Sequence, residues 1–231
     1  MTEQGVGAAV RRKEDYRFLT GNGHYLDDIN RPGQAYACFV RSPHAHANIK
    51  KVDTAKAGKS PGVVAVLTGK ELADDGVGPL ICGWTITGKD GEPHKAPAHP
   101  ALATETVRYV GDHVAVVIAD TLAQAKDGAE LVKVDYEELA SVTAPVAALA
   151  DGSPQVHGDV PGNLCYDWEI GDKAETDAAF EKADHVTSID IVNNRLIPNA
   201  IEPRAAVGEY DAGADSLTLY TTSQNPHVHR L

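Results

Sequence analysis

A mixed α/β fold of the α+β kind is predicted for this chain, and three observations carry the prediction. His113 to Ala119 reads HVAVVIA, an apolar run rich in β-branched residues, and such a run suits a strand covered on both faces. Leu122, Ala125, Ala129 and Val132 then recur at helical spacing, one apolar stripe backed by Gln124, Lys126, Asp127, Glu130 and Lys133 on the wet face. Val132, Val134 and Tyr136 finally alternate with charged residues, as along a half-buried strand. The result is a strand–helix–strand scaffold with no chemistry of its own.

Each boundary has a local cause. Thr121 and Gln124 stand at capping-box spacing and open the helix. Gly128 weakens it by roughly 1 kcal/mol relative to alanine. Upstream, Gly21 to Gly23 and Pro32-Gly33 mark turns around Tyr25 to Ile29. Tyr36, Cys38 and Val40 alternate along a strand that Pro43 ends. Ile49 to Val52 reads as another short strand, with Asp53-Thr54 capping a brief helix. Val63 to Leu67 is again a buried-strand composition, and Thr68 with Glu71 forms a second capping box.

From Ala73 to Thr106 the chain is rich in Gly, Pro and His, a long excursion carrying Trp84, His94 and His99. Loops of this length are usually functional, disordered or interface-forming. A second irregular region follows Leu139, with Pro154 and Pro161-Gly162 along it, and reads as a linker hugging the surface. Beyond Trp168, Asp177 to Lys182 belongs to a short helix and His185 to Val192 alternates as a strand. Val207 to Tyr210 and Leu217 to Thr221 flank a polar turn and form a hairpin. Asn225-Pro226 supplies an N-cap and a first-turn proline. Only His227 to Leu231 follows, less than a stable helix, so the sequence reads as a fragment or one part of a split polypeptide.

The 231 residues allow one large domain or two small ones. A 42% apolar and 23% charged composition is that of a soluble globular protein. No apolar run reaches a membrane span and no signal peptide opens the chain. Cys38, Cys82 and Cys165 are odd in number and lack a CxxC, which argues against a disulfide framework or a cysteine zinc site and for the reducing cytoplasm. A net charge of -12 disfavours nucleic acid and anionic membranes as partners.

Two nucleotide motifs fail inspection. Gly69-Lys70 lacks an upstream glycine at phosphate-loop spacing, and neither Gly5/Gly7 nor Gly21/Gly23 completes a dinucleotide fingerprint. His44 and His46 share a side if extended, but no third ligand is near, and a surface turn is the better reading. His227 and His229 do not share a helix face. Glu202 and Arg204 suit either substrate or pterin recognition or a structural ion pair. Asp27-Asp28 reads as turn chemistry.

Several stretches taken together resemble the large, molybdenum-binding subunit of the xanthine dehydrogenase family, nearest to large chains of the aerobic carbon monoxide dehydrogenase type. They are Leu19-Thr-Gly-Asn-Gly-His-Tyr-Leu-Asp-Asp28, Val40-Arg-Ser-Pro-His-Ala-His46, Pro61-Gly-Val-Val-Ala-Val-Leu67, Val107-Arg-Tyr-Val-Gly111, Glu202-Pro-Arg204 and Thr222-Ser-Gln-Asn-Pro-His227. The resemblance implies a hammerhead-like α/β domain over residues 1–139, including an N-terminal arm. A linker over 140–164 and the truncated start of a molybdenum-cofactor-binding domain over 165–231 follow. It places Gln224 where the family has a glutamine that hydrogen-bonds an oxo ligand of molybdenum, a role an amide can fill because its NH2 donates. No catalytic residue and no direct metal ligand is expected here. The family's glycine-rich loop, substrate-side loop and base glutamate are absent, and Ile201 stands where relatives often carry methionine.

The implied enzyme is a molybdopterin-dependent oxidoreductase, with molybdenum-molybdopterin in its cytosine dinucleotide form. Iron–sulfur clusters and FAD reside on partner subunits or domains. The implied partners are the remaining molybdenum-domain polypeptide, those iron–sulfur and flavin subunits, and a small substrate: carbon monoxide, an aldehyde, a purine or an N-heterocycle. The competing reading is a noncatalytic assembly module from a split or truncated chain. A third, a histidine metal-binding protein, requires metal bound by the chain alone.

Overall fold

A computed structural model describes residues 5–229. Its strands are β1 (Tyr36–Arg41), β2 (Ala47–Asp53), β3 (Val63–Thr68), β4 (Thr106–Val107), β5 (His113–Ala119), β6 (Lys133–Glu138), β7 (Ala206–Asp211) and β8 (Ser216–Thr221). Its helices are α1 (Asp15–Leu19), α2 (Gly69–Asp74), α3 (Leu122–Leu131), α4 (Pro145–Ala148), α5 (Lys173–Glu181) and α6 (Pro226–His229). The mixed α/β class stands. The strands form three antiparallel sheets, ordered β1-β5-β3, β4-β2-β6 and β7-β8.

The apolar run of β5 becomes the centre of the first sheet, paired with β1 on one edge and β3 on the other. Its alternate residues face different cores. Val114 packs with Ala47, Ala103 and Val107, while Ala115 and Val117 pack with Ala57 and Val132. From Val114 to Ala119 the strand is covered on both faces and carries only apolar side chains, which is why that stretch does not alternate. The next strand, β6, pairs with β2 in the second sheet. The strand–helix–strand unit therefore links two sheets and is not a crossover within one. Val52 and Val134 touch both apolar clusters and join the sheets.

Helix α3 departs from the expected stripe in two places. Ala125 and Val132 are buried, but Leu122 is 46% exposed, and Gly128 is among the buried positions. A Cβ at Gly128 would lie 2.9 Å from Val117 Cγ1 and Val63 Cγ2, so this glycine is where the helix presses on the sheet. The Thr121 cap forms, its hydroxyl accepting the Gln124 N–H at 3.2 Å, but that hydroxyl then donates to the Gln124 side chain, so the box is not reciprocal. At α2 it is: Thr68 Oγ1 accepts from Lys70 N–H and Glu71 accepts from Thr68 N–H. Gly69 is buried there, and a Cβ would meet the carbonyl oxygens of Leu102 and Ala103 at 2.7 and 2.8 Å. That close approach accounts for the glycine of the rejected Gly69-Lys70 motif, and Lys70 pairs with Asp74 instead.

Residues 140–164 are ordered around one side chain. Asn163 Nδ2 donates to the carbonyls of Ala148 and Pro154 at 2.9 and 3.0 Å, and its Oδ1 accepts the Val156 N–H at 2.9 Å. The excursion after Ala73 is tied down too. Leu80 N–H donates to His99 O, Lys95 N–H to Cys165 O, and Lys89 reaches Asp167 and Glu169 at 3.2 and 3.1 Å. Helix α5 starts at its Asp172 cap, earlier than expected. His185 to Val192 is not a strand. Alternation prepares a face, but a strand also needs a neighbour for its backbone groups, and this segment has none among the described residues.

By spatial compactness the chain divides into residues 33–187 and a second unit of 1–32 with 188–231. The first unit holds the two three-stranded sheets. The second holds the N-terminal segment and the β7–β8 hairpin, whose register runs from Ala206 opposite Thr221 to Asp211 opposite Ser216.

Candidate functional site

Gln224 lies in the short turn between β8 and α6, and local bonds shape that turn. Thr221 Oγ1 donates to Ala205 O at 3.1 Å as β8 ends. Ser223 Oγ accepts the Asn225 N–H at 3.0 Å, and Asn225 Oδ1 accepts the Val228 N–H at 3.3 Å, the N-cap that its position before Pro226 predicts. These bonds flank Gln224, whose side chain is exposed at a bend and is taken up by no protein group among the described residues. Two residues earlier, Thr222 Oγ1 is buried without a hydrogen-bond partner among the described residues. A buried hydroxyl left alone is costly, and here it falls two positions before the exposed Gln224. The turn therefore offers a polar ligand the exposed Gln224 amide, able both to donate and to accept, while protein covers the Thr222 hydroxyl.

Several of the other flagged residues have structural partners. Glu202 does not pair with Arg204 among the described residues; its Oε1 accepts the Leu26 N–H at 2.8 Å. Asp28 accepts the Tyr25 N–H at 2.8 Å, the turn role expected of it. His44 Nδ1 lies 3.1 Å from Glu138, with its ring against Tyr136, and His46 Nδ1 lies 2.9 Å from Ala140 O. They do not converge on a metal, and no cluster of three or more His, Cys, Asp or Glu suited to one occurs among the described residues. His94 Nε2 approaches Cys82 Sγ at 3.4 Å, while its Nδ1 accepts the Ile86 N–H. The three cysteines are free.

Sequence reasoning missed a cavity of about 320 Å³ in the 33–187 unit, with His99, Arg108, Tyr109, Asp112 and His157 in its wall. Its polar groups are largely spoken for. Arg108 donates through Nε to Val156 O and through Nη1 to Thr106 O, and its backbone N–H donates to the buried Asp112. Burial, then the Asp112 charge, raises the Tyr109 hydroxyl pKa. Burial, then the Arg108 charge, lowers that of His157. Residues 50 or more positions apart meet here, so no spacing could have revealed it.

A family model described as aldehyde oxidase and xanthine dehydrogenase, a/b hammerhead domain, matches residues 20–140. The chain belongs to this family. A second model, the molybdopterin cofactor-binding domain, matches residues 156–231 of this xanthine dehydrogenase-family chain and includes the Gln224 turn. Among curated relatives, the carbon monoxide dehydrogenase large chain of Afipia carboxidovorans is 38% identical over 98% of the chain and 28% of its own length. The nicotine 6-hydroxylase large subunit of Paenarthrobacter nicotinovorans is 36% identical over 100% of the chain and 27% of its own. A solved Cu,Mo-carbon monoxide dehydrogenase chain superposes with a TM-score of 0.80 at 37% identity, covering 98% of this chain and 29% of that one. The xanthine dehydrogenase-family chain thus spans a little over a quarter of the length of each of these three relatives. No helix among the described residues is long and apolar enough to cross a membrane.

Proposed function

We propose that these residues are the N-terminal portion of the large subunit of a cytoplasmic molybdenum hydroxylase or dehydrogenase. In that reading residues 1–139 are the hammerhead-like domain, 140–164 the linker and 165–231 the start of the cofactor-binding domain. The complete enzyme oxidises a small substrate, among carbon monoxide, an aldehyde, a purine or an N-heterocycle, with oxygen taken from water. Electrons pass to iron–sulfur and flavin partners, and the remaining molybdenum-domain polypeptide completes the site. Bound molybdopterin, as its cytosine dinucleotide, supplies the redox-active metal.

The observation that carries this reading is the Thr222–Gln224 turn within the part matched as cofactor-binding. The exposed Gln224 amide is engaged by no protein group among the described residues, as a polar cofactor requires of its protein contacts. With the cofactor bound, Gln224 would hold it by donating through its NH2 to an oxygen of the metal centre. Its carbonyl remains free to accept. In this reading no residue among those described is assigned as base or nucleophile.

The test is made in the complete enzyme. Gln224→Ala removes one hydrogen bond to a polarised oxygen and is expected to weaken cofactor placement by roughly 1–3 kcal/mol. Gln224→Glu is expected to be worse, because an ionised carboxylate has no proton to donate and faces an electron-rich oxygen. Turnover and molybdenum content are measured for both beside the parent. Parental turnover in both variants at equal metal loading removes Gln224 from the site.

A further inference from the structure

The hairpin leading to Gln224 is held from outside its own strands. Arg31, in the N-terminal segment, donates through Nε to the Glu209 carboxylate in β7 and through Nη2 to the Tyr220 hydroxyl in β8 at 3.1 Å. Its guanidinium carbon also lies 5.2 Å from the centre of the Tyr220 ring. The Tyr220 hydroxyl donates in turn to the second Glu209 oxygen at 3.4 Å. Register explains why one side chain can reach both. Val207 pairs with Tyr220 and Glu209 with Thr218, so Glu209 and Tyr220 are diagonal neighbours on one face. A planar guanidinium can bond two such groups while lying over a ring; a lysine ammonium cannot. The same N-terminal segment binds the hairpin's approach as well, through Leu26 N–H to Glu202. Tyr220 is followed at once by the Thr221 tie to Ala205, and the Gln224 turn begins there.

We propose that Arg31 is a positioning residue for Gln224: by fixing Tyr220 against Glu209 it fixes the direction in which β8 ends and hence where the Gln224 amide is presented. The proposal rests on reading Gln224 as a cofactor contact. Arg31 and Glu209 keep 41% and 34% of their side-chain surface exposed, and an ion pair that wet contributes little to stability. Its loss should therefore be felt in placement and not in folding.

The experiment uses the complete enzyme carrying Arg31→Met, Arg31→Lys, Tyr220→Phe, Gln224→Ala and the double variant Arg31→Met with Gln224→Ala. Melting temperature, molybdenum content, kcat and the EPR spectrum of the molybdenum centre are read for each. Arg31→Met is expected to lower kcat about tenfold, as small misplacements do, and to alter the EPR spectrum at parental melting temperature and metal content. Arg31→Lys should behave like Arg31→Met because the fork is lost. Tyr220→Phe, which keeps the ring and should fold in any case, should shift the spectrum in the same direction by less. In the Gln224→Ala background Arg31→Met should add nothing further. A parental spectrum and kcat in Arg31→Met, with Gln224→Ala impaired, overturns the positioning role and leaves the Gln224 reading intact. A full additional loss in the double variant also overturns it. Parental behaviour of Gln224→Ala overturns both.

Discussion

A methyl group added at Gly128 would sit 2.9 Å from two valine side chains, Val117 and Val63, and β-branched side chains have little freedom to turn away. Helix propensity alone favours alanine there by about 1 kcal/mol. Crowding a packed core costs about 1–3 kcal/mol, so Gly128→Ala is expected to destabilise the chain on balance. The check is its denaturant midpoint beside the parent's; a higher midpoint would mean that propensity wins. Gln224 shows how residue-scale legibility runs out. Its turn was readable, because Asn225-Pro226 announces a cap and the cap forms. The orphaned Thr222 hydroxyl beside it was not, since a hydroxyl's lack of partners depends on everything packed around it.

The elements with strong local causes appear close to where the sequence puts them. β5, β3 and the β7–β8 hairpin are set by composition and turn residues, and α2 by its reciprocal cap. The failures are those of pairing. His185 to Val192 has a strand's alternation but no neighbour among the described residues, and so forms no strand. The reverse happened in residues 140–164, where irregular sequence is nonetheless pinned by Asn163. That residue holds a left-handed backbone, φ 57°, and makes three side-chain hydrogen bonds to backbone groups. Each such bond contributes roughly 0.5–1.5 kcal/mol, and asparagine tolerates this conformation better than alanine does. Asn163→Ala is therefore expected to cost about 2–4 kcal/mol and to expose residues 140–164 to protease. Unchanged melting and an unchanged cleavage pattern would show that other contacts hold the segment.

Across the whole molecule, two half-buried histidines tie stability to pH. Burial, followed by the Arg41 charge, lowers the pKa of His113, and burial, followed by Arg108, lowers that of His157. A depressed value means that the unfolded chain binds the proton first. The stabilisation is thus complete above the unfolded value of about 6.5 and is lost as pH falls through it toward the folded values. The melting temperature of the 231-residue chain should fall between pH 7.5 and pH 5.5, and His157→Gln should reduce the fall. An identical fall in the variant would assign the effect to other groups. By itself the sequence determined the mixed α/β class, the central apolar strand, most turns and caps, and the family, because these follow from neighbours a few residues apart or from ordered motifs. Only the tertiary structure decided which strands pair, that Gly128 is a contact point, that His99 and His157 share a cavity wall, and that Arg31 grips the hairpin before Gln224. Such meetings depend on the path of the intervening chain, and no local pattern of side chains records that path.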